Sequence, residues 1–157
     1  MGHRACTFFG HRDCPASVRP RLREVLVELV EHYKVDMFYV GSQGNFDALV
    51  RSALRELKEE YPRITYWVVL AYLPRQSRKS DPRTILPEGI EAVPKRFAIS
   101  WRNRWMLQRV GFVVAYVLRP WGGAAQFVGL ARRKGKEVWN LAFPGDFSCS
   151  EQRKSVL

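Results

Sequence analysis

The sequence contains little that would place the protein in a membrane or bind a metal. No apolar stretch in its 157 residues reaches the roughly 18 that a bilayer-spanning helix needs, and its start lacks the apolar core of a secretory signal. The three cysteines, Cys6, Cys14 and Cys149, cannot all pair within one chain and match no zinc-binding spacing. We therefore expect structural cysteines, no metal, no membrane partner and a cytoplasmic location.

Two common nucleotide-binding signatures are also missing. The sequence contains neither the GxGxxG pattern of dinucleotide-binding loops nor the GxxxxGK[ST] pattern of P-loops. The first absence argues against NAD binding and the second against ATP hydrolysis. We therefore expect a protein without a bound cofactor.

Acidic residues are scarce relative to basic ones. The 15 Asp and Glu residues oppose 26 Lys and Arg residues, and the resulting net charge of +11 favours an anionic partner. The basic residues concentrate in two segments, Arg4–Arg23 and Arg75–Arg109. A basic stripe across an open surface is typical of nucleic-acid binders, whereas a small anionic ligand needs charge that converges on one cleft. Both arrangements are compatible with the sequence.

Apolar runs typical of strands alternate along the chain with segments of helical periodicity. The predicted strands are Ala5–Phe9, Met37–Val40, Ile64–Leu73, Gly111–Leu118 and Lys136–Leu141. The predicted helices lie between them, at Val18–Tyr33, Phe46–Leu57, Trp101–Gln108 and Gly122–Arg133. This alternation predicts an α/β sandwich with a mostly parallel sheet of five or more strands, covered by helices on both faces.

The pattern predicts one domain over residues 1–143, a size that suits a single hydrophobic core. Within it, Pro74–Pro94 contains four prolines and many charges but no clear periodicity. We expect this segment to be a long loop that roofs a binding site. Residues 144–157 are polar and are predicted to form a flexible tail.

Three predicted strands end at glycines, and each is followed by a helix. Parallel sheets bind ligands beyond the carboxyl ends of their strands, and glycine turns at helix N-termini bind phosphate through backbone N–H groups. A short helix that begins with an arginine completes the same edge. The sequence therefore predicts a ligand-binding site formed by Gly10, His11, Arg12, Gly41, Ser42, Gln43, Gly44, Arg102, Asn103, Trp121, Gly122, Gly123 and Ala124.

Several side chains of this edge have more than one plausible role. Arg12 and Arg102 can each fork onto a phosphate, and Trp121 can stack on a nucleobase. His11 either contacts the ligand, acts in acid–base chemistry or stabilises its own loop. Asp47, just after the second glycine turn, is expected to stabilise the start of its helix.

Five segments, in order along the chain, carry a resemblance to a known superfamily. They are FFGHRDC (Phe8–Cys14), FYVGSQGNFDALV (Phe38–Val50), VVLAYLP (Val68–Pro74), ISWRNRWM (Ile99–Met106) and WGGAAQF (Trp121–Phe127). Together they resemble the SLOG superfamily, named for the SMF/DprA proteins and the LOG enzymes, and especially its small single-domain branch in bacteria and their mobile elements. The resemblance implies a Rossmann-like three-layer domain that binds nucleotides or their derivatives at the Gly-Gly edge.

The resemblance also implies an activity to be tested. LOG enzymes are phosphoribohydrolases that release the base from a nucleoside monophosphate, and Arg102 and Met106 resemble the Arg and Met of their pattern. Their PGGxGTxxE segment ends in a catalytic Glu, but here Trp121–Phe127 keeps only the glycine pair. We therefore expect binding without hydrolysis, of a nucleotide-derived signal such as an ADP-ribose or a cyclic nucleotide, in a sensing or sequestering role.

Two alternative functions and an oligomeric state follow from the same resemblance. The first alternative is a LOG-like phosphoribohydrolase, and the second is DprA-like binding of single-stranded DNA. The resemblance also implies a homodimer or a higher homo-oligomer, formed through helices near the ligand edge. Trp101, Trp105 and Phe127 are the predicted apolar contacts of that interface.

Overall fold

Six parallel strands form one sheet in the computed structural model, which describes residues 4–73 and 83–143. In chain order the strands are β1 (Ala5–Gly10), β2 (Met37–Val40), β3 (Thr65–Val69), β4 (Thr84–Ile85), β5 (Phe112–Tyr116) and β6 (Glu137–Asn140). Across the sheet their order is β4-β3-β2-β1-β5-β6, and every neighbouring pair is parallel. The helices are α1 (Arg19–Glu31), α2 (Gly44–Glu60), α3 (Lys95–Gln108) and α4 (Gly123–Arg133), with short 3-10 turns at Ala16–Val18 and Ile90–Ala92.

The four helices cover the two faces of the sheet in pairs. On one face, α1 and α2 contribute Leu22, Leu26 and Phe46 to a first apolar cluster with the strands. On the other face, α3 and α4 contribute Met106 and Phe127 to a second apolar cluster. The result is a three-layer α/β sandwich with a parallel sheet, which confirms the predicted fold class.

The central strand β1 is buried on both of its faces. Phe8 packs into the cluster under α1 and α2, and its neighbour Phe9 packs into the cluster under α3 and α4. Burying one such ring stabilises the fold by about 1.5–3 kcal/mol. Because Phe8 and Phe9 are buried on opposite faces, both helical layers are stabilised by packing on the same strand. Burial on two faces requires a continuous apolar run rather than an alternating one, and the sequence ACTFF has that character.

Two elements differ by several residues from their predicted bounds, and one strand was not predicted. Strand β3 ends at Val69 rather than Leu73. Helix α3 begins at Lys95, directly after Pro94, well before the predicted start, because its first turn is polar and exposed and shows no apolar stripe. The predicted loop also contains β4, which pairs with β3 and adds a sixth strand; residues 74–82 of that loop, and the predicted tail 144–157, lie outside the described residues.

The order of strands reverses between β1 and β5. The chain moves outward from β1 through β2, β3 and β4 and then returns to β5 on the other side of β1. Because α1 and α4 follow these two strands onto opposite faces of the sheet, a crevice remains at the carboxyl ends of β1 and β5. Open parallel sheets bind ligands at such a switch point.

Two cysteines lie in the core of the described structure. Cys6 and Cys14 are buried, unpaired thiols, and burial raises the pKa of Cys14 to about 11, so that it stays protonated near neutral pH. Within the described residues, every helix is too short or too polar to cross a bilayer.

Candidate functional site

A cleft of about 390 Å³ opens at the switch point, which is within the range of small-molecule sites, about 300–1,000 Å³. Its walls come from the segment after β1, the start of α2, one side of α3 and the turn before α4. Ten of the thirteen predicted binding residues line it: Gly10, His11, Arg12, Gln43, Arg102, Asn103, Trp121, Gly122, Gly123 and Ala124. The other three, Gly41, Ser42 and Gly44, lie outside its lining.

Gly10 ends β1 beneath the first turn of α2. A Cβ at this position would lie 2.2 Å from the ring of Phe46. The glycine is therefore required for the packing of α2 on β1, and this requirement is independent of any ligand.

His11 ties the segment after β5 to the end of β1. Its buried imidazole accepts hydrogen bonds at Nε2 from the backbone N–H groups of Leu118 (2.9 Å) and Arg119 (3.3 Å). An Nε2 that accepts carries no proton, so the ring is neutral and its hydrogen is on Nδ1. Burial and the charge of Arg119 lower the pKa of His11, whereas Asp13 acts in the opposite direction. These contacts are those of a residue that stabilises its loop.

The glycine turn before α2 is filled by protein atoms. Gly44 has a φ of +82°, and a Cβ there would lie 2.8 Å from the Cα of Arg12. The backbone N–H of Gln43 donates to Oδ2 of Asp47 (3.0 Å), and that of Asn45 donates to the carbonyl of Arg12 (2.9 Å). Two donors at the start of α2 are thus used within the chain, and Asp47 stabilises the helix start as the sequence predicts.

Two buried charged side chains converge on Gly41 beside the cleft. A Cβ on Gly41 would lie 2.6 Å from Oδ2 of Asp47 and 2.9 Å from Cζ of Arg102. Arg102 donates from Nη1 to the carbonyl of Val69 (2.9 Å) and from Nε to Oδ1 of Asn103 (2.9 Å). Burial raises the pKa of Asp47 and lowers that of Arg102, and the attraction between the two charges opposes both shifts.

The glycine turn before α4 is open. Gly122 is the N-cap of the helix with a φ of +94°, and no side chain caps the helix start. A Cβ on Gly122 or on Gly123 would meet no atom within 4 Å. The first N–H groups of a helix have no intrahelical acceptor and carry the positive end of its dipole, so this turn presents free donors to the cleft and suits an anion.

Arginine side chains add positive charge around the same space. Arg12 is exposed at the cleft. Arg119 forms a two-pronged pair with Asp13, Nη2 to Oδ1 at 3.0 Å and Nη1 to Oδ2 at 3.2 Å, and this hydrogen bonding lowers the pKa of Asp13. The pair joins the segments after β1 and β5, and Arg12 is an exposed cation in the lining of the same cleft.

An aromatic ring lies at the rim of the cleft. Trp121 is 66% exposed and lines the cleft directly before the open glycine turn. A large apolar side chain that remains in water at the mouth of a cleft is available to stack on a planar ligand.

The sequence analysis missed several lining residues, namely Phe8, Phe9, Asp13, Ile99 and Arg119. Arg119 follows β5 at the carboxyl edge of the sheet, which is the same signal that identifies His11 and Arg12. Asp13 lies only one residue beyond Arg12. Among residues 4–73 and 83–143, no group of three His, Cys, Asp or Glu side chains is placed to hold a metal ion.

Comparison with known proteins relates the chain to a DNA-processing protein by fold. No protein-family model matches the sequence, and no curated protein matches it significantly. The chain is similar to the X-ray structure of DNA processing protein A (DprA) from Streptococcus pneumoniae, with a TM-score of 0.67 and 13% sequence identity. The match covers 96% of this chain and 56% of that chain, so the chain spans little more than half of that protein's length. At this identity the similarity establishes the fold alone, and that fold is the Rossmann-like α/β fold that the SLOG resemblance implies.

Proposed function

We propose that the protein binds a nucleotide-derived small molecule, such as an ADP-ribose or a cyclic nucleotide, in the cleft at the switch point. The observation that carries the proposal is the open turn before α4, where no atom of the described residues lies within 4 Å of a Cβ placed on Gly122 or Gly123 and no side chain among them caps the helix. A phosphate group fits free N–H donors at a helix N-terminus, and the exposed Arg12 supplies a matching charge. The resemblance to the small single-domain SLOG branch supports a nucleotide as the carrier of that phosphate.

The other walls of the cleft suit the uncharged part of a nucleotide. Ile99 and Met106 are apolar lining residues, and Trp121 is exposed at the rim for stacking on a base. Because Oδ1 of Asn103 already accepts from Arg102, the amide N–H₂ of Asn103 remains as a donor for the ligand. The helix after the glycine pair has Gly129 at the position of the catalytic Glu in the LOG pattern, which favours sensing or sequestration over hydrolysis.

A thermal-shift screen of nucleotide metabolites is the first test. A ligand present at about 100 times its Kd stabilises the native state by about 2.7 kcal/mol, which is easily visible as a rise in Tm. Analysis of the same samples for released base tests the phosphoribohydrolase alternative, and we expect the ligand to be recovered intact.

The substitution Gly123→Ala then tests the position of the site with the ligand that the screen identifies. The Cβ of a first-turn residue leans toward the helix N-terminus, so the added methyl group enters the space that we assign to the phosphate. We expect affinity measured by calorimetry to fall about tenfold or more, equivalent to about 1.4 kcal/mol. Stability should not fall, because alanine is the better helix former.

Gly111→Ala is the matched control. A Cβ on Gly111 also meets no atom within 4 Å, but Gly111 precedes β5, at the edge of the sheet opposite to the cleft. This variant should bind as the wild type does. Wild-type affinity in Gly123→Ala would show that the ligand does not use the turn before α4.

We also infer a homodimer, which light scattering tests against the monomer mass of 18.2 kDa. Of the predicted contacts, Phe127 is buried in the second cluster, and Trp101 and Trp105 are half-buried. Leu118 is an exposed apolar side chain at the ligand edge, and it is a better candidate for the interface. A monomer mass across micromolar concentrations contradicts the dimer.

A further inference from the structure

Charge is distributed very unevenly between the two helical layers. Residues 19–60, which contain α1 and α2, include seven Lys and Arg and eight Asp and Glu. Residues 95–109 and 123–136, which contain α3 and α4, include nine Lys and Arg and no acidic residue. Most of the net charge of the protein therefore lies on one side of the sheet.

The cations of the α3/α4 layer face solvent and lack acidic neighbours. Arg102 is buried beside the cleft, but Lys95, Arg96 and Arg104 on α3, Arg109 directly after it, Arg132 and Arg133 in the last turn of α4 and Lys134 directly after it are exposed; we call these exposed cations the basic face. On the opposite layer, Arg19 pairs with Glu56 and Arg23 pairs with Glu60. Within the described residues, no carboxylate lies within 4.0 Å of a cation of the basic face.

Helix stability does not account for the basic face. Positive charge at the end of α4 complements the helix dipole, but Lys95 and Arg96 occupy the first turn of α3, where positive charge is unfavourable. Arg104 lies too far from either end of α3 to interact with its dipole. The nearest acidic residues in the chain, Glu91 and Glu137, lie outside both helices. The charge of this layer therefore suits an external polyanion.

We propose that the basic face is a docking surface for double-stranded DNA, held through its phosphates without readout of the bases. Helix α3 has 14 residues and is therefore about 21 Å long. Duplex DNA carries one negative charge for about every 1.7 Å of its axis, so the face meets several phosphates at once. Neutral polar side chains, which can both donate to and accept from the 2′-hydroxyls of an RNA duplex, are few here, with Gln108 and Gln126 the exposed ones on these helices.

The aromatic residues of this layer favour a duplex over a single strand. Proteins that bind single strands stack the bases on exposed rings. Here Trp105 is covered by the guanidinium of Arg109, 3.7 Å from the ring centre, and Phe127 is buried. Trp101 packs against the small cluster around Ala98. Among the described residues of α3 and α4, Phe97 is the one exposed ring, and the guanidinium of Arg96 lies 4.8 Å from its centre, so these helices form no stacking platform.

The test measures binding of a fluorescent DNA duplex of about 20 base pairs, of arbitrary sequence, as a function of salt. The triple variant Arg104→Ala/Arg132→Ala/Arg133→Ala removes three cations from the basic face. The slope of log K against log salt is negative, and each lost phosphate contact makes it shallower by about 0.9. We therefore expect the magnitude of the slope to decrease by about two to three. At about 50 mM salt, affinity should fall at least tenfold.

The matched control, Arg19→Ala/Arg23→Ala/Arg55→Ala, removes the same charge from the opposite layer and should change affinity by less than about threefold. Equal losses in the two triple variants would mean that net charge alone attracts DNA, and would overturn the proposal. So would tighter binding of a single strand of the same length, equal binding of an RNA duplex, or no binding of the DNA duplex. Gly123→Ala should leave duplex binding unchanged, so failure of the cleft proposal and failure of this one are separately visible.

Discussion

Helices α2 and α4 both begin at a glycine-containing turn at the carboxyl edge of the sheet. At α2, Asp47 accepts from the N–H of Gln43 and the carbonyl of Arg12 accepts from the N–H of Asn45, and a Cβ on Gly44 would collide with Arg12. At α4, no side chain caps the helix, and Gly122 and Gly123 border open space. A glycine at a helix start therefore indicates close approach or open space, and residues distant in the chain decide which of the two the turn has.

The largest loss of stability is expected from a substitution in the turn before α2, which protein atoms fill. Gly44→Ala places a Cβ 2.8 Å from the backbone of Arg12 at a φ of +82°. A left-handed conformation costs a residue with a side chain about 1–2 kcal/mol, and overpacking adds about 1–3 kcal/mol. We expect urea denaturation to show that the free energy of unfolding decreases by at least about 2 kcal/mol. An equal loss in Gly123→Ala would remove the distinction between the two turns.

Arg102→Ala should have the next largest effect, because it removes the cation beside the filled turn. The variant loses the bonds to Val69 and Asn103 and leaves Asp47 buried without its nearest counter-charge. Loss of a charged hydrogen bond costs about 1.5–3 kcal/mol. Arg12→Ala, at an exposed side chain, should change stability by less than about 0.5 kcal/mol.

A second substitution separates the two causes of this loss. Adding Asp47→Asn to Arg102→Ala removes the unpaired charge and should recover part of the lost stability. A double-mutant cycle in urea measures this coupling. Strict additivity of the two single substitutions would show that the two charges do not interact.

The smallest change in stability is expected from protonation of His11, which removes the hydrogen bonds that its imidazole accepts. Its pKa is lowered in the folded state, so the unfolded chain takes up the proton first. The free energy of unfolding should therefore decrease as the pH falls from about 7 toward 5, through and below the ordinary histidine pKa of about 6.5. His11→Gln keeps an acceptor near Nε2 without a titrating group, and its stability should lack this part of the pH dependence. Parallel pH profiles of wild type and variant in urea unfolding would contradict the assignment.

The sequence predicts elements whose signal is local. The run that contains Phe8 and Phe9 identifies β1 because burial on two faces requires adjacent apolar residues. The start of α3 escapes the same reasoning, since Lys95 and Arg96 point into solvent and carry no apolar stripe. Strand β4 has only two residues and exists through its pairing with β3, which no local pattern reveals.

The candidate site, too, is predicted from the sequence only where the signal is local. The strand-end rule identifies the edge and most of the residues that line the cleft. It does not separate Gly44, whose neighbour is Arg12, from Gly123, whose neighbour is empty space. That difference depends on segments more than thirty residues apart in the chain coming together, and no spacing within one turn encodes it.

The position of β1 between β2 and β5 also has a consequence for synthesis. Cys6 is paired with Phe38 on one side and with Phe112 on the other, and the bond from Leu118 to His11 joins residues 107 positions apart. At about 5–20 residues per second, the side of β1 that pairs with β5 stays unpaired for several seconds while the chain grows. Unpaired strand edges can pair with other chains. Because β5 completes both the central strand and the cleft, the proposed ligand would bind only a chain that has folded through its late strands.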